Sequence, residues 1–162
     1  MTFNPTNLAK AHEIVARYPR PKSAILPLAH LAQDQDGWLS PEAMREIAEL
    51  VGVTPAEVNG TCSFYTMYKR RPCGKYVVSV CTNVTCLVLG GPEILEHLEE
   101  RYADDGEVTV EEVECIAACG NAPSMQVNYE FHEHLNPELA AAIVDDYKNG
   151  VLTARGVSGG RL

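Results

Sequence analysis

The cysteines at 81, 86, 115 and 119 form two tight pairs, Cys81-Thr-Asn-Val-Thr-Cys86 and Cys115-Ile-Ala-Ala-Cys119. Four thiolates brought together from two segments make the ligand set of a cysteine-bound metal centre, because deprotonated sulfur is the soft donor that both zinc and iron-sulfur clusters prefer. Structural zinc commonly takes Cys-x2-Cys knuckles, although wider spacings occur. Here the gaps are four and three residues. Val84, Leu87, Val88, Ile116, Ala117, Ala118 and Pro123 are expected to surround the sulfurs with the apolar walls that keep water from a redox centre and tune its potential. Thr82, Asn83 and Thr85 are expected to add hydrogen bonds to sulfur, and loop amides with the N-terminus of a helix near Pro92 to offset negative charge. The residues alone favour a 2Fe-2S cluster, with structural zinc and a thiol or disulfide pair as alternatives.

The composition narrows the setting. No apolar run approaches the roughly 20 residues that span a bilayer, and residues 1–10 have neither a basic nor an apolar leader pattern, so direct membrane insertion is not expected and a cytoplasmic location is. In that compartment thiols stay reduced, which turns six cysteines toward metal or redox chemistry rather than a disulfide framework. A formal charge of -9, from 22 acidic and 13 basic side chains, argues against nucleic-acid binding. Lys69-Arg70-Arg71 reads as a solvated or partner-facing loop. Gly90-Gly91-Pro92 matches neither GxGxxG nor the Walker pattern, so no nucleotide site and no catalytic residue is expected in this chain.

The elements that must position the cysteines change character along the chain. Over residues 7–68 the pattern is helical. Ala11, Ile14, Val15 and Tyr18 recur at helical steps until Pro19 and Pro21 intervene, and a second amphipathic stretch covers residues 26–33. Ser40-Pro41 caps a third helix ended by Gly52, and Thr54-Pro55-Ala56-Glu57 is a capping box opening a short fourth. After Pro72 the pattern becomes strand and crossover. Residues 75–81 read as a buried strand ending at Cys81, 92–102 as an amphipathic helix, and 108–115 as a strand ending on Cys115. Residues 124–128 and 130–134 form a hairpin, and Asn136-Pro137 caps a last helix closed by Gly150. The reading is α+β: an N-terminal helical bundle over residues 1–72, a thioredoxin-like domain with a small mixed sheet over 73–150, and a flexible tail over 151–162.

The remaining candidates have plain readings. Cys62 and Cys73 are expected as small buried hydrophobes. His132 and His134, alternating on the last strand, are expected as surface polar residues. Phe64-Tyr65-Thr66-Met67-Tyr68 is expected to be aromatic core, with a docking surface as the alternative.

Ser63-Phe64-Tyr65-Thr66-Met67-Tyr68, Gly74-Lys75-Tyr76, Cys81-x4-Cys86, and Val113-Glu114-Cys115-x3-Cys119 followed by Asn121-Ala122-Pro123 together resemble the 2Fe-2S subunits of respiratory NADH:quinone oxidoreductase (complex I), which in bacteria are its E subunits. The likeness runs in order and spacing over residues 24–148. It implies a thioredoxin-like 2Fe-2S ferredoxin domain in which Cys81, Cys86, Cys115 and Cys119 hold one 2Fe-2S cluster. It also implies a flavoprotein subunit as partner, carrying FMN, NADH and a 4Fe-4S cluster, within a larger respiratory complex on the cytoplasmic side of a membrane. The role implied is outer-sphere exchange of single electrons with the flavin, as a store rather than an obligatory relay. The same module serves as the diaphorase subunit of NAD-linked formate dehydrogenases and NAD-reducing hydrogenases. Cys62 and Cys73 stand where the family more usually has an apolar residue, and Gly120 where a larger one is common.

Overall fold

The computed structural model describes residues 3–154. The tail expected over residues 151–162 lies outside the described residues from 155 onward. In sequence, the chain divides between Pro72 and Cys73 into two compact units.

The first unit contains α1 (Pro5–Ala16), a 3-10 turn (Pro21–Ala24), α2 (Ile25–Asp36), α3 (Pro41–Val51) and α4 (Pro55–Ser63). Three of these helices start by one device, a polar cap followed by proline, whose missing N–H costs nothing in the first turn. Asn4 accepts from the Asn7 N–H at 2.8 Å, Ser40 from Ala43 at 3.1 Å and Thr54 from Glu57 at 3.3 Å. The Glu57 carboxylate accepts the Thr54 N–H at 3.0 Å in return, completing the capping box. The Asn4 cap moves the start of α1 back from Asn7 to Pro5, which apolar periodicity cannot reveal because the first turn is exposed. Inside, Leu28, Leu39, Ile47 and Val58 form a dry core that includes Cys62, whose thiol is pushed up to about 11 by burial.

Two features of this unit differ from the sequence reading. Phe64 is 83% exposed and not core, although Tyr68 beyond it is buried with its hydroxyl donating to the Leu26 carbonyl at 2.9 Å. Besides Tyr68 in the core and Tyr65 and Met67 packed against it, the residues after α4 are secured by a buried polar side chain. Gln33 on α2 donates from Nε2 to the Met67 carbonyl at 2.9 Å and accepts the Lys69 N–H on Oε1 at 2.7 Å, as a neighbouring strand would.

The second unit contains β1 (Tyr76–Cys81), α5 (Val84–Val88), α6 (Gly91–Arg101), β2 (Val108–Val113), β3 (Met125–Val127), β4 (Glu130–His132) and α7 (Pro137–Lys148). The sheet order is β2-β1-β3-β4, with β1 and β2 parallel and the other pairs antiparallel. Alternate residues Tyr76, Val78 and Val80 of β1, Val108 of β2, and Met125 and Val127 of β3 enter one core with Ile94 and Leu98 of α6 and Val144 of α7. The β3–β4 turn places Asn128 and Tyr129 at φ of 46° and 70°, the pair of left-handed residues that a tight hairpin requires. The Asn128 side chain accepts from the Val77 N–H at 2.8 Å and donates to the Lys75 carbonyl at 2.9 Å, tying that turn to the start of β1. This strand order, a small mixed sheet in an α+β chain, agrees with the thioredoxin-like reading.

Replacing Gln33 with alanine removes both bonds to the segment after α4. The expected cost is about 1–3 kcal/mol. It is read as a lowered urea midpoint with unchanged m, followed by the fluorescence of Trp38, the chain's single tryptophan. An unmoved midpoint would show that the clamp contributes nothing to stability.

Candidate metal centre

The position of the first cysteine pair follows from the end of β1. Cys81 is its last residue, lying opposite Val113 at the end of β2 in the parallel register. The second cysteine segment therefore leaves the sheet at the same end, although β2 stops at Val113 and not at Cys115 as expected. The Thr82 N–H donates to the Val113 carbonyl at 3.1 Å, and the Thr82 hydroxyl donates to Glu112 Oε1 at 2.6 Å. These two bonds fasten the segments that carry the two pairs to each other.

The first segment is not an open loop. Asn83 accepts from the Val84 N–H at 2.8 Å and starts the short helix α5, which turns Cys86 inward and buries it. Gly90, at φ 99°, then reverses the chain into α6. At Gly91 a Cβ would stand 2.6 Å from the Cys81 carbonyl oxygen and 2.9 Å from that of Cys86, so only glycine lets α6 begin this close to the first pair.

The sulfurs meet in two environments. Cys81 and Cys86 are 2% and 1% exposed, whereas Cys115 and Cys119 face solvent. The Cys115 and Cys119 sulfurs are 3.9 Å apart. Cys86 adjoins Cys81 and is close enough to Cys119 to help raise the Cys119 thiol. Burial pushes the Cys81 thiol up, with the adjoining Cys86 adding to the effect, while the backbone amides of Asn83 and Ile116 oppose it. Neighbouring Cys115 raises the Cys119 thiol. Among the described residues, no group of three or more His, Cys, Asp or Glu side chains is compact enough to grip a metal ion.

Several partners of these sulfurs differ from expectation. Thr82 and Asn83 use their side chains on Glu112 and on the cap of α5. The bonds to sulfur come instead from the Ala117 N–H, 3.3 Å from Cys115 Sγ, and from Ser124, whose Oγ is 3.5 Å from Cys86 Sγ. Ala117 reaches its position at φ 64°, a left-handed conformation that turns its amide back on the preceding cysteine. The Cys81 thiol donates to the Glu114 carbonyl at 3.5 Å. Val84, Leu87 and Val88 do not wall the sulfurs: they lie exposed on α5, Val88 at 79%, and Leu89 continues the patch. A five-residue helix that turns one cysteine inward has little surface left to bury the rest.

The histidines belong to other contacts. His132 is half-buried, not a surface residue, with Nε2 3.0 Å from the Tyr147 hydroxyl and its ring edge-on to that tyrosine. His134 lies past the end of β4, its N–H donating to the Asn121 carbonyl at 2.9 Å. Cys73 is half-buried ahead of β1.

The model of the thioredoxin-like [2Fe-2S] ferredoxin family matches residues 11–148, most of the chain. The chain belongs to that family. The E subunit of NADH-quinone oxidoreductase from Mycobacterium tuberculosis is 46% identical over 146 residues, which make up 86% of this chain and 58% of that protein. The chain thus spans less than two thirds of the length of the mycobacterial relative. The corresponding E subunit from Rickettsia bellii is 37% identical over 158 residues, covering 91% of this chain and 95% of that one. A crystal structure of an NAD+-reducing [NiFe]-hydrogenase in the air-oxidized state has a TM-score of 0.68 at 20% identity, covering 79% of this chain and 23% of that chain. That likeness shows the fold alone. No helix among the described residues is long and apolar enough to cross a membrane.

The donor set fits an iron-sulfur cluster: soft sulfur ligands from two segments, with backbone amides aimed at sulfur to offset negative charge. In chelator-treated protein, thiol titration should show Cys115 and Cys119 reacting fast and Cys81 and Cys86 slowly, as their burial dictates. Gly91→Ala should move the buried pair into the fast class, because the added Cβ must push α6 away from both carbonyls. Unchanged kinetics would show that α6 does not hold this pair in place.

Proposed function

We propose that Cys81, Cys86, Cys115 and Cys119 hold one 2Fe-2S cluster, and that the chain is the electron-transfer subunit beside the FMN- and NADH-binding flavoprotein of NADH:quinone oxidoreductase. The observation that carries the reading is that parallel β1 and β2 send one buried and one exposed cysteine pair off the same end of the sheet in a chain of this family. When bound, the cluster supplies a one-electron store that exchanges with the flavin of the partner.

The chain's own residues then have separable roles. Cys81 and Cys86 anchor the dry side, where the sheet and α6 exclude water. Cys115 and Cys119 form the outward side, on which the Ala117 amide offsets thiolate charge. The Thr82–Glu112 bond keeps the two ligand segments in register. Val84, Leu87, Val88 and Leu89 present an apolar surface beside the ligands, suited to docking on the flavoprotein and keeping water out of the space an electron must cross. Relatives named as parts of NADH-quinone oxidoreductase favour the respiratory complex, on the cytoplasmic side of a membrane, over the diaphorase assemblies. The 4Fe-4S cluster and both nucleotides belong to the partner in this reading.

Anaerobically purified protein should show broad visible bands that bleach with dithionite, and iron and acid-labile sulfide in equal amounts near two per chain. Cys81→Ser should remove or strongly perturb these bands while Cys62→Ala leaves them. Stoichiometric zinc in colourless protein would replace the electron-transfer reading with a structural module.

The docking role has its own test. Val88→Glu should leave the visible bands intact and weaken association with the purified flavoprotein subunit about tenfold or more, measured by titration calorimetry. Equal affinity would remove α5 from the interface.

A further inference from the structure

Ser124 occupies a position that the cluster reading does not by itself explain. Its side chain is buried, at 1% exposure, and its Oγ is 3.5 Å from the equally buried Cys86 Sγ. Its backbone is fixed on the other side, since the Ser124 carbonyl accepts the Cys81 N–H at 3.2 Å and the next residue, Met125, pairs with Val80. The serine is thus fixed by its backbone just ahead of β3, with its hydroxyl buried beside Cys86.

Proton bookkeeping sets the direction of this contact. Between a thiol and a hydroxyl either group can donate. A metal-bound cysteine has lost its proton, so the serine O–H must be the donor and sulfur the acceptor. A hydrogen bond to a ligand sulfur draws electron density from the metal centre and favours the more negatively charged, reduced form. In a site that excludes water, nothing screens or replaces that bond.

We propose that Ser124 is a positioning residue that acts through Cys86 to raise the reduction potential of the bound cluster. The proposal rests on the reading that Cys86 is a cluster ligand. It assigns to Ser124 the donor role that the sequence assigns to Thr82, Asn83 and Thr85. No bond forms or breaks in the step concerned: one electron is added or removed while the serine proton stays on oxygen and its bond to sulfur tightens or relaxes.

The experiment is a redox titration of the cluster-loaded full chain by EPR, comparing wild type with Ser124→Ala and Ser124→Thr. Loss of the hydroxyl should shift the reduced-to-oxidised ratio about tenfold toward oxidised at a fixed ambient potential, equivalent to about 59 mV for a one-electron couple. Ser124→Thr keeps an O–H at the same atom and should restore the wild-type value. Pulsed EPR of reduced wild type in H2O and D2O should also reveal a strongly coupled exchangeable proton that is missing in Ser124→Ala; loosened packing alone would not delete a single proton coupling. An intact cluster with an unshifted midpoint, or with the coupling retained, overturns the proposal. If the alanine variant does not assemble, lack of such a coupling in wild type overturns it equally. Wild-type protein that binds no iron would overturn the ligand reading itself, which is a separate result.

Discussion

The parallel register of β1 and β2, which sets Cys81 opposite Val113, is the constraint on which the candidate metal centre depends. Parallel strands end on the same side of a sheet, and ligands of open α/β sheets gather outside those carboxyl ends. A crossover is needed to return the chain for a parallel partner, and α6 supplies it. That crossover separates the cysteine pairs in sequence while bringing them together in space. A slip of one residue would turn Val78 and Val80 out of the core. Placement of the first cysteine pair is thereby bound to the packing of Tyr76, Val78 and Val80 against α6 and α7.

Crowding sulfur at that edge has an electrostatic cost, and the structure distributes it unevenly. On the buried side desolvation disfavours the Cys81 thiolate, while on the exposed side Cys115, its sulfur 3.9 Å away, disfavours ionisation of Cys119. Amides of Asn83, Ile116 and Ala117 reduce the cost without supplying a full positive charge. A bound cationic centre would supply what they lack and would link metal binding to the ordering of the two segments. The asymmetry also gives the site a dry face and an outward face, which a shuttle for single electrons needs and a purely structural knuckle does not.

Much of this arrangement was legible in the sequence because its signals are local. Ser40-Pro41, Thr54 with Glu57, and Asn136-Pro137 mark helix starts through side chains that bond within three residues. The β-branched run at 76–81 marks the central strand for the same reason. What was hidden depends on partners distant in sequence. Nothing near Gln33 in sequence signals its role, since Met67 and Lys69, more than thirty residues away, use both ends of its amide. Thr82 is adjacent to a cysteine, yet its hydroxyl goes to Glu112; Ser124 is far in sequence from Cys86, yet it meets the sulfur. The apolar residues around the first pair gave the least information, because hydrophobicity alone does not distinguish a wall from a surface. Val84 and Val88 lie on the outside of a helix too short to turn both cysteine and valines inward.

That outward apolar face has a physical consequence for how the chain works. Val84, Leu87, Val88 and Leu89 follow one another along α5 and its cap with Cys86 in their midst, so the surface next to a proposed ligand is apolar while the chain as a whole is strongly acidic. Soluble proteins seldom leave contiguous apolar surface uncovered, and where they do it usually marks an interaction site. The short helix does two things at once: it buries one sulfur and leaves its apolar side chains on the surface. A longer helix could have buried those side chains as well, but it would have placed more protein between the metal centre and whatever exchanges electrons with it. The brevity of α5 is therefore what lets the same few residues both bury the Cys86 sulfur and leave an apolar surface beside it.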